Sequence, residues 1–271
     1  MIEKKGIRII DVTAKNIAEF PPSCFMRPAA DGYVKKAAWL KKQFRKGLKV
    51  KLLYTEQDNK CIGFIEYTPG ENAWRGVDAK GYLFIHCIWI SPNESKLRGY
   101  GSLLINHVIE QAVNEKKLGV AVMTSNGPFM ATKDLFRKNG FKVIDSVKPT
   151  YDLLVKVLKK GGLPRLHDCQ NQLKRYQGLN VVYSNQCPWV ARGIKGMIEI
   201  ARANGVKLKV FEMRNPQIAQ QAPSVYATFN LICNGRLLAD HYISHHRFRN
   251  IIEKELTLAK GKKKPVKRKK K

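Results

Sequence analysis

The stretch Ile-Trp-Ile-Ser-Pro-Asn-Glu-Ser-Lys-Leu-Arg-Gly-Tyr-Gly-Ser, residues 88–102, decides the fold of this chain. An apolar run with β-branched residues ends at Pro92, a polar loop follows, and residues 102–112 carry apolar side chains at helical spacing. This order predicts a strand that leads through a glycine-bearing turn into a helix. The first turn of such a helix presents unpaired backbone N–H groups at the positive end of the helix dipole. Because Gly99 and Gly101 have no Cβ to keep an anion away from the backbone, the turn is typical of a phosphate or pyrophosphate site.

Two common phosphate-binding motifs do not fit this turn. A P-loop needs Gly-x-x-x-x-Gly-Lys followed by Ser or Thr, and no such string occurs in the chain. The dinucleotide fingerprint needs a third glycine where this chain has Leu104. An ordinary strand–turn–helix unit is the remaining alternative to an anion site.

The turn resembles the coenzyme A loop of the GNAT acetyltransferases, Gln/Arg-x-x-Gly-x-Gly/Ala. Lys96 stands at the Gln/Arg position, and Arg98-Gly99-Tyr100-Gly101 fits the rest of the pattern. Residues 131–141 are similar to the last helix of that family and end in Gly140-Phe141. Apolar runs around these two motifs predict strands at 7–12, 49–54, 61–67, 81–90, 119–123, 142–147 and 151–158, with helical pieces near 16–20 and 33–46.

The resemblance implies a mixed α/β fold in which two parallel strands of a central sheet splay apart and acetyl-CoA lies in the gap. It places the pantetheine arm along residues 86–90 and the pyrophosphate on the amides of residues 97–102. The residues it implies for acetyl-CoA are Ile88, Trp89, Ile90, Lys96, Leu97, Arg98, Gly99, Tyr100, Gly101, Ser102 and Asn126. It also implies that an amine acceptor attacks the thioester directly, so that the protein mainly supplies proximity and orientation.

The groups that this family uses for proton transfer are absent from the matching positions. The tyrosine of the last helix is replaced by Phe136, and the carboxylate on the strand before the loop falls at about Phe84. His86 lies two residues further along the same strand face and is the best remaining candidate for a base. A buried strand histidine without a catalytic role is the alternative. Three weaker candidates are Glu66, Tyr67 and Tyr82.

The second half of the chain predicts a separate, smaller domain after a boundary at residues 158–164. A strand at 180–184 precedes a Cys187-Pro188-Trp189-Val190 turn and a helix, and a second strand follows at 206–212. A strand that ends at residue 233 and another at 237–243 then flank an Asn234-Gly235 hairpin turn before a last helix at 247–256. This order resembles a thioredoxin-like fold. The pairing of the two parts is similar to that of the YoaP-type acetyltransferases.

Cys187 stands where a thioredoxin-like motif has its first cysteine, and Val190 replaces the second. A dithiol cycle within this motif is therefore excluded. The N-terminus of a helix favours a thiolate, so Cys187 is either a single reactive thiol or the remnant of a former active site.

Charge is distributed unevenly along a chain whose net charge is +29. Residues 260–271 hold nine Lys or Arg and no acidic residue, which predicts a disordered tail. Such a tail binds nucleic acid without reading sequence, or simply keeps the protein dissolved. The helix at 33–46 interleaves lysines with Trp39 and Phe44, either as a solvated face or as a lining of the acceptor cleft. We find no membrane-length apolar stretch, no secretory signal and no metal-ligand spacing, and expect a cytoplasmic protein.

These patterns predict a GNAT domain at 1–160, a thioredoxin-like domain at 161–259 and a basic tail at 260–271. The expected function is acetyl-CoA-dependent N-acetylation of an amine acceptor. Two alternatives from other classes stay open. One is a nucleic-acid- or ribosome-associated protein that senses acyl-CoA, and the other is a thiol-redox protein centred on Cys187.

Overall fold

The computed structural model describes residues 6–22, 24, 26–91, 98–127, 130–148 and 150–261, with side chains up to residue 255 in the last helix. In chain order its elements are β1 (Ile7–Val12), α1 (Asp31–Phe44), β2 (Lys49–Thr55), β3 (Cys61–Pro69), β4 (Val77–Asp78), β5 (Tyr82–Ile90), α2 (Tyr100–Asn114), β6 (Gly119–Ser125), α3 (Lys133–Arg137), β7 (Lys142–Val147), β8 (Tyr151–Val157), β9 (Arg165–Leu166), α4 (Gln170–Leu173), β10 (Leu179–Tyr183), α5 (Pro188–Ala203), β11 (Leu208–Glu212), α6 (Pro216–Gln220), β12 (Phe229–Cys233), β13 (Arg236–Ala239) and α7 (His245–Gly261). A short 3₁₀ turn, Gly70–Asn72, lies between β3 and β4.

A seven-stranded sheet in the order β1-β2-β3-β5-β6-β8-β7 forms the first half of the protein. Its central pair, β5 and β6, is parallel, and the other neighbours are antiparallel. The parallel pairing covers only Tyr82–Ile85 against Gly119–Val122. Beyond it, β5 continues along β3 to Ile90, whereas β6 continues along β8 to Ser125. The two central strands therefore separate, and this confirms the predicted splayed mixed sheet.

Helix α2 covers one face of this sheet next to the point of separation. Its buried residues are Leu103, Leu104, Ile105, Val108 and Ala112, the three- and four-residue spacing of one helix face. They pack with apolar side chains of the central strands, including Leu83, Ile85 and Val122. This packing fixes the start of α2 against the end of β5.

The second half is built on a four-stranded sheet in the order β11-β10-β12-β13. The pair β10–β11 is parallel, and β12 is antiparallel to both of its neighbours. Helices α5 and α7 contribute Ile194, Met197, Phe248 and Ile252 to its core. The hairpin between β12 and β13 turns at Asn234 and Gly235, which both have positive φ, as a tight hairpin turn requires.

The two sheets share a hydrophobic cluster. It joins Trp39, Leu52 and Trp74 of the first half to Val182 and Ile232 of the second. A two-stranded ladder, β4 with β9, ties the chain after residue 164 back to the first half. The division at residue 160 stays a prediction, but the halves are packed against one another.

Three sequence predictions differ from the structure in their details. Residues 16–20 form turns rather than a helix, because the Asn16 side chain bonds the backbone of Thr13 and Asp11. Strand β13 stops at Ala239, short of the predicted end at Ile243. Helix α7 continues through residues 260 and 261, which were expected in the disordered tail, and residues 262–271 lie outside the described part. No helix in the described ranges combines the length and apolarity needed to cross a membrane.

Helices α1 and α5 cross in close contact at Gly32. A Cβ added to Gly32 would lie 2.2 Å from the Pro188 backbone oxygen and 3.0 Å from Cβ of Arg192. Because the first contact is with backbone, only a shift of one helix relieves it. The glycine thus sets the distance between the two halves.

We predict that Gly32→Ala lowers the free energy of unfolding by about 1–3 kcal/mol, because the added methyl group overpacks this crossing. Urea denaturation followed by tryptophan fluorescence measures the change. Gly162→Ala is the matched control, since no atom lies within 4 Å of the Cβ it adds. Equal stability of the two variants would contradict the close crossing.

Candidate active site

The predicted anion turn lies at the start of α2. Gly99 is the N-cap of this helix, with φ 79° and ψ 4°, a left-handed conformation that favours glycine. No side chain caps the first turn. The Ser102 hydroxyl accepts a hydrogen bond from Asn139 Nδ2 at 3.0 Å, which holds the turn to the segment after α3. Of the other predicted residues of the loop, Arg98 is exposed, Tyr100 begins α2, and Lys96 and Leu97 lie outside the described residues.

A cavity of about 380 Å³ occupies the gap between the separated strands. Its floor comes from His86–Trp89 of β5 and from Val122 and Met123 of β6. Its opposite wall comes from the second half of the chain, with Gln186, Cys187, Trp189, Val190, Tyr226, Thr228 and Tyr242. Of the residues predicted to contact acetyl-CoA, Ile88 and Trp89 line the cavity, Ile90 continues the same strand, and Asn126 is exposed just after β6. The two halves of the protein therefore enclose one site.

Both aromatic replacements noted in the sequence are buried, and one of them, Phe136, lines the cavity. Phe136 lines the cavity with no exposed surface, and its ring meets Phe141 edge-on at 5.5 Å. Phe84 is equally buried, with its ring 5.8 Å from that of His86. The two rings add apolar surface that excludes water, but neither carries a proton donor or acceptor.

A buried ion pair lies between the two halves, beside the cavity. Lys36 Nζ donates to Glu66 Oε2 at 2.7 Å and to the Gln186 backbone oxygen at 2.7 Å. The other carboxylate oxygen of Glu66 accepts a hydrogen bond from Gln186 Nε2 at 2.9 Å. Although burial alone would raise the pKa of Glu66, Lys36 and His86 hold it well below its usual range. Glu66 is thus a fixed anion that binds Lys36 rather than a base for a substrate.

His86 is placed as predicted, but its lone pair is already used. Nε2 accepts the Trp74 backbone N–H at 2.9 Å, and Nδ1 lies 3.3 Å from Glu66 Oε1. Burial lowers the pKa of His86 to about 4, with Arg75 adding to the effect and Glu66 opposing it. The ring is therefore neutral, with its proton toward Glu66. His86, which the sequence suggested as a base, therefore contacts Trp74 and Glu66 in the structure.

Arg75 is a member of the site that the sequence did not indicate. It is 3 % exposed and lines the cavity. Its guanidinium donates to backbone oxygens of Trp74 and His86 and to the side chains of Gln186 and Thr228. The ring of Tyr226 lies 4.9 Å from its Cζ atom. Nothing in the spacing around Trp74-Arg75-Gly76 signals this role, because the partners are up to 153 positions away.

Cys187 is the N-cap of α5, as expected, but the thiolate is not favoured. Burial raises the pKa of Cys187, although the backbone N–H groups of Val190 and Trp189 partly oppose the shift. Two further thiols line the same cavity, and burial raises the pKa of Cys87 to about 12 and that of Cys24 as well. Desolvation therefore outweighs the helix amides at this thiol, and whether Cys187 is reactive stays a prediction.

The weaker candidates from the sequence are held away from proton transfer. Tyr82 donates its hydroxyl to the Gly162 backbone oxygen at 3.1 Å, and Tyr67 is buried beneath the sheet. The histidines near residue 245 contact separate groups, with His241 beside Asp240 and His245 beside the Gly193 oxygen. In the described ranges, no three His, Cys, Asp or Glu side chains converge as a metal site would require.

We predict that Glu66→Gln lowers the free energy of unfolding by about 3–5 kcal/mol, because it leaves the Lys36 ammonium buried without its counter-charge. Urea denaturation is the measurement. Glu115→Gln removes a carboxylate from the Lys49 pair, whose side chains are 38 % and 30 % exposed, and should cost under about 1 kcal/mol. Similar losses in both variants would contradict the assignment of the buried pair as a structural element.

Comparison with known proteins finds similarity to acetyltransferases. The family model described as "Acetyltransferase (GNAT) family" matches residues 15–141. A Bacillus subtilis (strain 168) protein named "Uncharacterized N-acetyltransferase YoaP" is 24 % identical over 251 residues, which cover 90 % of this chain and 97 % of that protein.

Two solved structures are similar to part of this chain. The Campylobacter jejuni N-acetyltransferase PseH is 16 % identical, with a TM-score of 0.39 over 57 % of this chain and 99 % of its own. A spermidine N-acetyltransferase SpeG variant from Vibrio cholerae is 11 % identical, with a TM-score of 0.42 over 57 % of this chain and 95 % of its own. Residues 15–141 are thus similar to the GNAT acetyltransferase family.

Proposed function

We propose that this protein transfers the acetyl group of acetyl-CoA to a primary amine by direct attack of the amine on the thioester. The observation that carries the proposal is the separation of β5 from β6 at Ile85 and Val122, beside the uncapped N-terminus of α2 at Gly99. The name of the Bacillus subtilis relative, an N-acetyltransferase similar to nearly the whole chain, supports the same activity.

The residues present fit acetyl-CoA in two places. The first turn of α2 presents backbone N–H groups that no side chain caps, and this suits a pyrophosphate. Residues 86–90 have β3 as a partner on one side and leave β6 on the other, so their edge suits the amide groups of a pantetheine arm. The bound coenzyme supplies an acyl thioester that is open to attack by an amine.

The site handles protons without a dedicated carboxylate base. No Asp or Glu is among the described residues of the cavity wall, and His86 keeps its lone pair on Trp74. Arg75 lines the cavity without a carboxylate among its described partners, so its positive charge and the apolar wall disfavour an ammonium group there. We infer that the acceptor loses its proton to solvent on entry and then attacks as a free amine.

We infer that the second half is a thioredoxin-like domain that has lost dithiol chemistry. The strand order β11-β10-β12-β13, the parallel pair and the placement of Cys187 at the start of α5 all support this reading. Val190 replaces the second cysteine of the motif. Its contribution to function is then the cavity wall rather than electron transfer. A cytoplasmic location accords with six unpaired thiols.

Calorimetric titration of acetyl-CoA into nucleic-acid-free protein, followed by a thiol-release assay with a panel of amines, tests the proposed activity. We expect binding and amine-dependent release of coenzyme A. Binding without release by any amine would favour the acyl-CoA-sensing alternative, in which residues 260–271 contact nucleic acid. An absence of binding would overturn the proposal.

We predict that Gly99→Val lowers the affinity for acetyl-CoA by roughly 100-fold, because a β-branched residue disfavours positive φ and places methyl groups over the helix amides. The titration above measures it. Gly178→Val is the control for backbone strain, with φ 73° and no atom near its Cβ. Unchanged affinity for acetyl-CoA in Gly99→Val would contradict the assignment of this turn as the pyrophosphate site.

We predict that Cys187→Ser retains acetyl transfer within about threefold of the wild-type rate, since a buried, protonated thiol is a poor nucleophile. The thiol-release assay gives the rate, and intact-protein mass spectrometry after mixing with acetyl-CoA looks for an acetylated enzyme. Loss of transfer in a folded variant that still binds acetyl-CoA would support the thiol-centred alternative.

A further inference from the structure

The Arg75 guanidinium is a buried cation whose hydrogen-bond partners among the described residues are all neutral. Nη1 donates to the Trp74 oxygen at 2.7 Å, to Gln186 Oε1 at 2.5 Å and to Thr228 Oγ1 at 2.9 Å, and Nη2 donates to the His86 oxygen at 3.0 Å. None of these four bonds reaches a carboxylate, and none comes from Nε. The bonds fix the position of the guanidinium without cancelling its charge.

The surrounding groups do not supply the missing negative charge. Glu66 forms its ion pair with Lys36, so these two charges cancel. His86 is neutral, because burial lowers its pKa to about 4. Asp240 contacts His241 and Tyr151 rather than Arg75. The buried cluster of Lys36, Glu66, His86 and Arg75 therefore carries one net positive charge.

This net charge faces the cavity rather than the packed interior. Arg75 lines the same cavity as His86, Cys87 and Cys187, next to the gap between the central strands. The start of α5 lies on the same wall, and its helix dipole adds positive potential. A buried cation without a counter-ion is costly, and a bound anion relieves that cost.

We propose that Arg75 is a carboxylate-binding subsite and that the amine acceptor is an amino acid or another amine that carries a carboxylate. This inference rests on the proposed acetyl transfer and names its substrate class. Arg75 suits a carboxylate because its planar guanidinium matches the two oxygens. Binding there directs the amine of the same molecule toward the gap between β5 and β6. The amine nitrogen then forms the amide bond to the acetyl carbon, the C–S bond breaks, and the thiolate leaves as coenzyme A after taking a proton.

Wild-type protein gives the first test. The probes are unbranched ω-amino acids from glycine to 6-aminohexanoate, each compared with its primary amide at the same concentration of free amine. We expect kcat/KM to be roughly 10- to 100-fold higher for at least one acid than for its amide, which is the value of a charged hydrogen-bonded contact. Equal use of acids and amides across the series would overturn the subsite.

The Arg75→Gln variant gives the second test. We expect it to lose the preference for acids over amides, and calorimetric titration of acetyl-CoA into the variant checks that the donor still binds. Arg165→Gln is the control, because it removes the same charge from a side chain that is 77 % exposed. A preference that persists in a folded Arg75→Gln variant would contradict the proposal.

A binding measurement separates failure of the subsite from failure of acetyl transfer. Butyrate and hexanoate should raise the Tm of wild-type protein more than butyramide and hexanamide do, whether or not any amine is acetylated. A shift without turnover would keep the Arg75 subsite and count against the transferase. Turnover without a Tm shift and without a preference for acids would support acetyl transfer and overturn the Arg75 subsite.

A carboxylate could also arrive on the acyl group of the donor. Succinyl-CoA and acetyl-CoA are therefore compared with one neutral amine, n-butylamine. We expect acetyl-CoA to be at least as good a donor. A clear preference for succinyl-CoA would overturn the assignment of the carboxylate to the acceptor.

Discussion

The buried ion pair between Lys36 and Glu66 holds the two halves of this protein in register. It joins α1 to β3, and both partners reach across to Gln186 of the second half. A buried pair of charges tolerates little displacement, because a stretched contact leaves each charge without water and without a partner. The position of the second sheet, and with it the wall of the cavity, follows from this contact and from the close crossing at Gly32.

The sequence predicted the parts of the fold that local patterns encode. The separation of β5 from β6 follows from where each apolar run ends, and the start of α2 follows from Gly99, so both could be found without any contact information. The burial of Phe84 and Phe136 could also be expected, since neither side chain has a polar atom to satisfy. In the second half, the Asn234-Gly235 turn fixed the hairpin for the same local reason.

Long-range contacts account for what the sequence could not predict. Arg75 lies in a loop with no recognisable motif, and its role emerges only when Gln186 and Thr228 are brought to it from the other half. His86 is a candidate base by its place on the strand, but its Nε2 lone pair accepts the backbone N–H of Trp74. For Cys187 the helix amides do lower the pKa as the local rule says, but the half-buried thiol lies in the cavity between the two halves, and desolvation decides the direction of the shift.

The second half of the chain closes the cavity, and this gives it a physical role. In the first half alone, the gap between β5 and β6 would open to water, which would screen the charge of Arg75. For the proposed amine acceptor, this water would stabilise the ammonium form again. Residues from the start of α5 and from the segment before β12 exclude that water. The same packing desolvates Cys187, which raises the pKa of its thiol, and excludes water from the guanidinium of Arg75. If the proposed function holds, a less acidic thiol and a stronger field at the acceptor are two consequences of one burial.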